Sequence, residues 1–181
     1  IRARRDAREP KGNAGASQAA ADVLIFGMGR FGTAMALRLQ RRGFGVIGVD
    51  FDPRAIARAT SLGLRAEYGD ATDPEFIASL PLEQAQWVVS TVPRHPTGLS
   101  HEDSRHTLMQ IVRSTPFRGQ VAVASHNARE TDELLARGAD TVMEPFQDAA
   151  DRAVDLISGA PPTQRTPIPP ITPEDRGDAG D

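Results

Sequence analysis

Gly27, Gly29 and Gly32 fall within six residues of "VLIFGMGRFGTAMALRL" (23–39), and Asp50 follows 18 positions after the last of them. These residue types at this spacing point to an anion held on the backbone, the alternatives being a purely structural turn for the glycines and a surface carboxylate for Asp50. A glycine turn between an apolar run and a helix lets an anion reach backbone N–H groups, and the helix N-terminus adds its partial positive charge. Within Gly27-Met28-Gly29-Arg30-Phe31-Gly32, the first glycine permits the tight turn. The second lets a phosphate approach the backbone, and the third lets the helix pack close to the strand. An acid about 20 residues further on accepts hydrogen bonds from ribose hydroxyls. Its negative charge also disfavours a 2′-phosphate. The pattern therefore asks for NAD or an adenine nucleotide rather than NADP, and Arg54 nearby is outweighed by Asp50.

Three other residues each carry two readings. Asp70, in "EYGDATDPE", meets an adenine amino group or a ribose, or else orders the Gly-Asp turn. Thr91, at the end of "WVVSTV", turns its hydroxyl to a phosphate or base, or is a plain β-branched strand residue. Arg30 pairs with a phosphate or faces solvent. His95, His101, His106 and His126 form no ligand cluster: His101 and His106 are five apart, which is not one helical face. Asp52, beside Asp50, has the simpler role of capping a helix. No nucleophile and base come together, and no separate domain supplies a dehydrogenase substrate pocket.

The elements that position these residues alternate along the chain. "DVLIFG" (22–27), "GVIGVD" (45–50), "LRAEY" (64–68), "WVVSTV" (87–92), "QVAVAS" (120–125) and "TVM" (141–143) read as strands. Between them lie helices over 30–42, about 53–62, 74–80, from the Ser100 cap to about Ser114 and the stretch after Asn127, with a last one at 147–158. Gly43, Gly63 and Gly138 end three of them. Asp52-Pro53 and Asp73-Pro74 start two. Ser100 with Asp103 reads as a capping box, and Asn127 with Glu130 caps the next helix. Ala150, Val154 and Ile157 give the last helix an apolar stripe. Continuous apolar strands separated by helices predict an α/β fold, a Rossmann-like doubly wound parallel sheet of six strands in the order 3-2-1-4-5-6.

Composition bounds the rest. The 181 residues suffice for one substantial domain, here placed at 22–158. A net charge of −3 argues against a domain that holds nucleic acid. The absence of cysteine removes disulfides and thiolate chemistry. Residues 1–21 form a basic arm or linker, with Arg2, Arg4, Arg5, Arg8 and Lys11 against Asp6 and Glu9. The arm lies near a membrane surface or joins a preceding domain, and the non-Met start predicts a piece of a longer chain. Six of 14 prolines fall in 158–181, a tail with little to bury.

In order and spacing, "VLIFGMGRFGTAMALRL", "GVIGVDFDP" and "AEYGDATDPE" resemble the RCK N-lobe, or TrkA-N, regulatory domain, most of all the cytoplasmic domains of potassium efflux and cation/proton antiporters. The likeness covers about 22–157. It implies a domain that binds NAD(H), AMP, ADP or ATP to switch a transporter rather than to react. It implies that Gly27, Met28, Gly29, Arg30, Phe31 and Gly32 hold the phosphates, and that Asp50 holds the ribose with Phe51 beside the base. Asp70 and Ala71 would then contact the adenosine end, and Thr91 would close the pocket. It further implies a homodimer through the helix after the sixth strand, a membrane-spanning transporter domain N-terminal to this fragment, and a place on the cytoplasmic face of a bacterial inner membrane. Many members continue into a second C-terminal lobe, where this chain has its proline-rich tail. A small NAD-dependent oxidoreductase, and a dimerising domain that has lost nucleotide binding, are the alternatives.

Overall fold

A computed structural model describes residues 21–94, 103–159 and 161. The basic arm up to residue 20, His95, His101, Ser100 and nearly all of the proline-rich tail lie outside the described residues. Six strands form one sheet: β1 Val23–Phe26, β2 Val46–Asp50, β3 Arg65–Tyr68, β4 Trp87–Ser90, β5 Gln120–Ala124 and β6 Thr141–Met143. Every pairing is parallel, and the order is β3-β2-β1-β4-β5-β6. The expected doubly wound sheet is the observed one.

Alternate residues of each strand feed two separate cores, as the two-residue period of a strand requires. Leu24, Phe26, Val88, Val121 and Val123 join one core, with Ile77, Leu108, Met109, Val112 and Leu134 from the helices. Ala21, at the junction with the arm, is buried in this core too. Val23, Ile25, Val89 and Ala122 join the other. The helices on this second face are α1 Arg30–Arg41 and α2 Pro53–Ser61, and they contribute only small buried residues: Gly32 and Ala36, Ala55 and Ala59. Small side chains let both helix axes come close to the sheet, and that closeness brings the start of α1 over the end of β1. The other helices are α3 Pro74–Ser79, α4 Ser104–Ser114, α5 Thr131–Ala136 after a single 3-10 turn, and α6 Pro145–Ser158.

Helix starts differ from expectation in two places. Asp103 is itself the N-cap of α4, accepting from the Arg105 N–H at 3.0 Å, so it is not the third residue of a capping box. Asn127 does cap, with Oδ1 accepting from Arg129 N–H, but Glu130 makes no cap bond because its carboxylate is committed to an arginine. The last helix also misses its expected packing. It buries nothing: Val154 and Leu156 are exposed and Ile157 is 87% exposed. Its N-terminal end meets the domain through Pro145 and Ala149, which face α1, and through the Phe146 ring tilted on His126 at 5.2 Å.

Candidate functional site

A cleft of about 180 Å³ opens at the carboxyl edge of the sheet, where β1 and β4 part. Ligands of open α/β folds bind at this switch point because the connections leave it in opposite directions. Gly27, Gly29, Asp50, Phe51, Ala71 and Thr91 line it, and Phe26, Val49, Gly69, Val92 and Pro93 complete the wall.

The three glycines answer to three different demands. Gly27 has φ +98°, which side-chain-bearing residues rarely adopt. At Gly32 a Cβ would sit 1.9 Å from the Gly27 carbonyl oxygen, so the turn and the helix touch backbone to backbone. Gly29 differs: its φ is −69°, and a Cβ there would meet nothing within 4 Å. The fold itself places no demand for glycine at 29. The empty space belongs to the cleft.

The first turn of α1 is left open to such a group. Its N-cap is Gly29, with no side-chain cap and no acidic residue in the turn. By contrast Asp52, Asp73 and Asp103 cap α2, α3 and α4 with their own carboxylates. The N–H groups of Arg30, Phe31 and Gly32 precede the first intrahelical bond, Thr33 N–H to Gly29 carbonyl.

Asp50 holds the loop from below. Its Oδ2 accepts from Met28 N–H at 2.6 Å and its Oδ1 from Asp52 N–H at 2.9 Å. A carboxylate has about four acceptor positions, so both oxygens keep capacity for ribose hydroxyls. Thr91 also secures the loop, since its hydroxyl donates to the Gly27 carbonyl at 2.7 Å. That proton fixes the turn and is not free for a phosphate. Phe51, 64% exposed, lines the cleft.

Other expected residues lie elsewhere. Met28 is 1% exposed, and its thioether packs so tightly on Gly48 that a Cβ there would overlap it; its contribution is its backbone N–H. Arg30 is exposed and outside the cleft lining. Phe31 turns toward α6, in an apolar groove of about 490 Å³ with Met35 and Leu39. Asp70 is exposed, and Oδ1 accepts from both the N–H and the hydroxyl of Thr72, each at 2.8 Å. Of its two readings the turn-forming one is observed, and its neighbours Gly69 and Ala71 reach the cleft instead. Among the described residues no group of three His, Cys, Asp or Glu could hold a metal ion.

Beyond the cleft, the carboxyl end of β5 carries a buried ion cluster that sequence reasoning missed. Arg105, 1% exposed, donates through Nε to both Asp103 oxygens at 2.9 and 3.0 Å, and through Nη1 to Glu130 at 3.0 Å and the Ala124 carbonyl at 3.3 Å. Burial raises Asp103 and Glu130, but the Arg105 hydrogen bonds and charge outweigh it and hold both carboxylates below their ordinary range. Burial lowers the guanidinium, and the two carboxylates more than restore it. Glu130 lies 25 residues from Arg105, so no local spacing joins them. The faint signal was an arginine two places after an aspartate at a helix start.

Residues 23–145 match the model of the TrkA-N domain family. A putative potassium efflux antiporter KefB from Alkalimonas amylolytica is 28% identical over 67% of this chain and 17% of its own length. The Ktr system potassium uptake protein C of Bacillus subtilis is 22% identical over 75% of this chain and 58% of its own length. The chain thus spans less than two thirds of either relative. Among solved structures, the NAD(P)-binding domain of an exopolyphosphatase-related protein from Archaeoglobus fulgidus matches with TM-score 0.65 and 22% identity, over 77% of this chain and 98% of its own. The GsuK channel bound to NAD matches with TM-score 0.62 and 18% identity, over 77% and 24%. The Kef C-terminal domain of Shewanella denitrificans in its AMP-bound form matches with TM-score 0.59 and 18% identity, over 75% and 78%. The chain belongs to the TrkA-N family.

Proposed function

We propose that this TrkA-N domain is a regulatory module that binds NAD(H) or an adenine nucleotide, AMP, ADP or ATP, at the switch-point cleft and so gates a linked potassium or cation/proton transporter at the cytoplasmic face of a membrane. The observation that carries the reading is Gly29: a glycine the fold does not need, at the uncapped start of α1, opposite Asp50. Phosphate oxygens accept from the first-turn N–H groups, ribose hydroxyls donate to Asp50, and the base lies along Phe51. The names of the relatives, transporters and channels, support the linkage to ion movement. A nucleotide shifts such a transporter only by binding its two states unequally. A second copy packs on α6, whose apolar residues are exposed.

Regulation is favoured over turnover because, among the described residues lining the cleft, Asp50 alone is titratable, and both its oxygens accept backbone N–H groups. A ligand that binds only the folded state raises its melting temperature. Melting the chain with NAD, NADH, NADP, AMP, ADP and ATP is therefore the test. At least one ligand other than NADP raises the midpoint, and Asp50→Ala diminishes the rise. No rise with any of them at millimolar concentration removes the reading. Oxidation of NADH with candidate substrates would replace it by the oxidoreductase. Ion flux through the whole transporter, with and without the best ligand, tests the gating.

A further inference from the structure

The two halves of a doubly wound sheet each serve one mononucleotide of a bound dinucleotide. Here the two halves end differently. Among the described residues the cleft is walled by the carboxyl ends of β1 and β2 and by residues that follow β1, β2, β3 and β4. At the end of β5, Ala124 and Ser125 are buried. The Arg105 guanidinium lies across that end, donating to the Ala124 carbonyl and to Glu130. The Ser125 hydroxyl donates to the Asn127 carbonyl at 2.7 Å. Glu130 also takes Arg94, next to the cleft residue Pro93, at 3.4 Å. Among the described residues the polar groups at the end of β5 thus already have partners, while the buried Ser90 hydroxyl at the end of neighbouring β4 has none. Breaking into the β5 groups leaves charge buried and unpaired, which is costly.

We infer that this site selects an adenine mononucleotide, AMP or ADP, over a dinucleotide, because the Arg105–Asp103–Glu130 cluster closes the second half-site. The inference rests on the reading of the cleft as a nucleotide site. NAD still enters by its adenosine half, but its nicotinamide half stays in solvent and adds no affinity.

Affinities of the unmodified chain for AMP, ADP and NAD, with saturation-transfer NMR on the NAD complex, decide it. NAD binds no tighter than ADP, and saturation reaches the adenine protons but not the nicotinamide protons. NAD binding about tenfold or more tighter than ADP, or nicotinamide protons saturated as strongly as adenine ones, overturns the inference while leaving the nucleotide site intact. Binding of none of the three removes the underlying reading instead. Arg105→Gln and, separately, Glu130→Ala test the cause: in whichever variant folds, the affinity for NAD rises relative to AMP. An unchanged ratio in a folded variant overturns the role given to the cluster.

Discussion

Two halves of one sheet's carboxyl edge solve opposite problems with similar materials. At the β1–β2 half, polar groups are held ready: α1 begins uncapped, Gly29 faces empty space, and Asp50 accepts from backbone donors while keeping acceptor positions. At the β5 half, polar groups are closed on one another: α4 begins on its own Asp103, and Arg105 links that cap to Glu130 and the end of the strand. A carboxylate tied to a buried guanidinium contributes to stability, whereas a carboxylate tied to N–H groups with positions to spare can still bind. The difference lies in what each acid faces.

The contrast fails first, if it fails, at Arg105. Arg105→Ala leaves the part-buried Asp103 without its guanidinium and Glu130 with Arg94 alone, and chemical denaturation should show a loss of about 3 kcal/mol. A loss below about 1 kcal/mol would mean that the cluster does not hold the β5 end.

Next come the glycines, in opposite senses. Gly32→Ala drives a methyl into the Gly27 carbonyl. It costs about 1–3 kcal/mol and abolishes the nucleotide-dependent rise in melting temperature. Gly29→Ala meets only open space and loses at most about 1 kcal/mol as a poorer cap, yet it weakens nucleotide binding. If both variants lose stability and binding in proportion, the cleft is not the ligand's place.

Acid separates the two halves further. Asp103 and Glu130 have folded-state values below their unfolded ones, so as pH falls the unfolded chain takes up protons first. Their stabilisation is complete above the unfolded carboxylate values, about 4, and is lost as pH falls through the lower folded values. His106 is lowered as well, chiefly by burial, so its share is present above about pH 6.5 and falls away below it. Urea midpoints from pH 7 to 3 should fall in the parent and fall less in Arg105→Ala, since the pairing that lowers the acids is gone. The smallest effect belongs to Phe51→Ala: stability within about 0.5 kcal/mol of the parent, with a modest loss of base binding seen by calorimetry.

Much of the fold was legible because it depends on local signals. Apolar runs punctuated by Gly43, Gly63 and Gly138 mark strands and helix ends, and Asp-Pro pairs mark helix starts, so element order and topology followed. The cleft was legible in part. Gly27, Gly29, Asp50, Phe51, Ala71 and Thr91 occupy it because a loop residue at a strand end has its place set by the strand. The side chains of Met28, Arg30, Phe31 and Asp70 lie outside the cleft lining, because a side chain's direction within a loop depends on what packs beside it: Gly48 for Met28, α6 for Phe31, Thr72 for Asp70.

The order of residues alone sets the alternation of strand and helix, the glycine turn at the end of β1 and the acid at the end of β2, because each is written within a few consecutive residues. Tertiary packing was needed to show that a side chain at Gly29 would meet only open space, that Thr91 gives its proton to Gly27, and that Arg105 lies across the end of β5. Those facts join residues 19 to 64 positions apart or concern space the chain leaves empty. Neither distance through space nor a void is written in the order of residues; both appear when α1, α2 and α4 come to rest on one sheet.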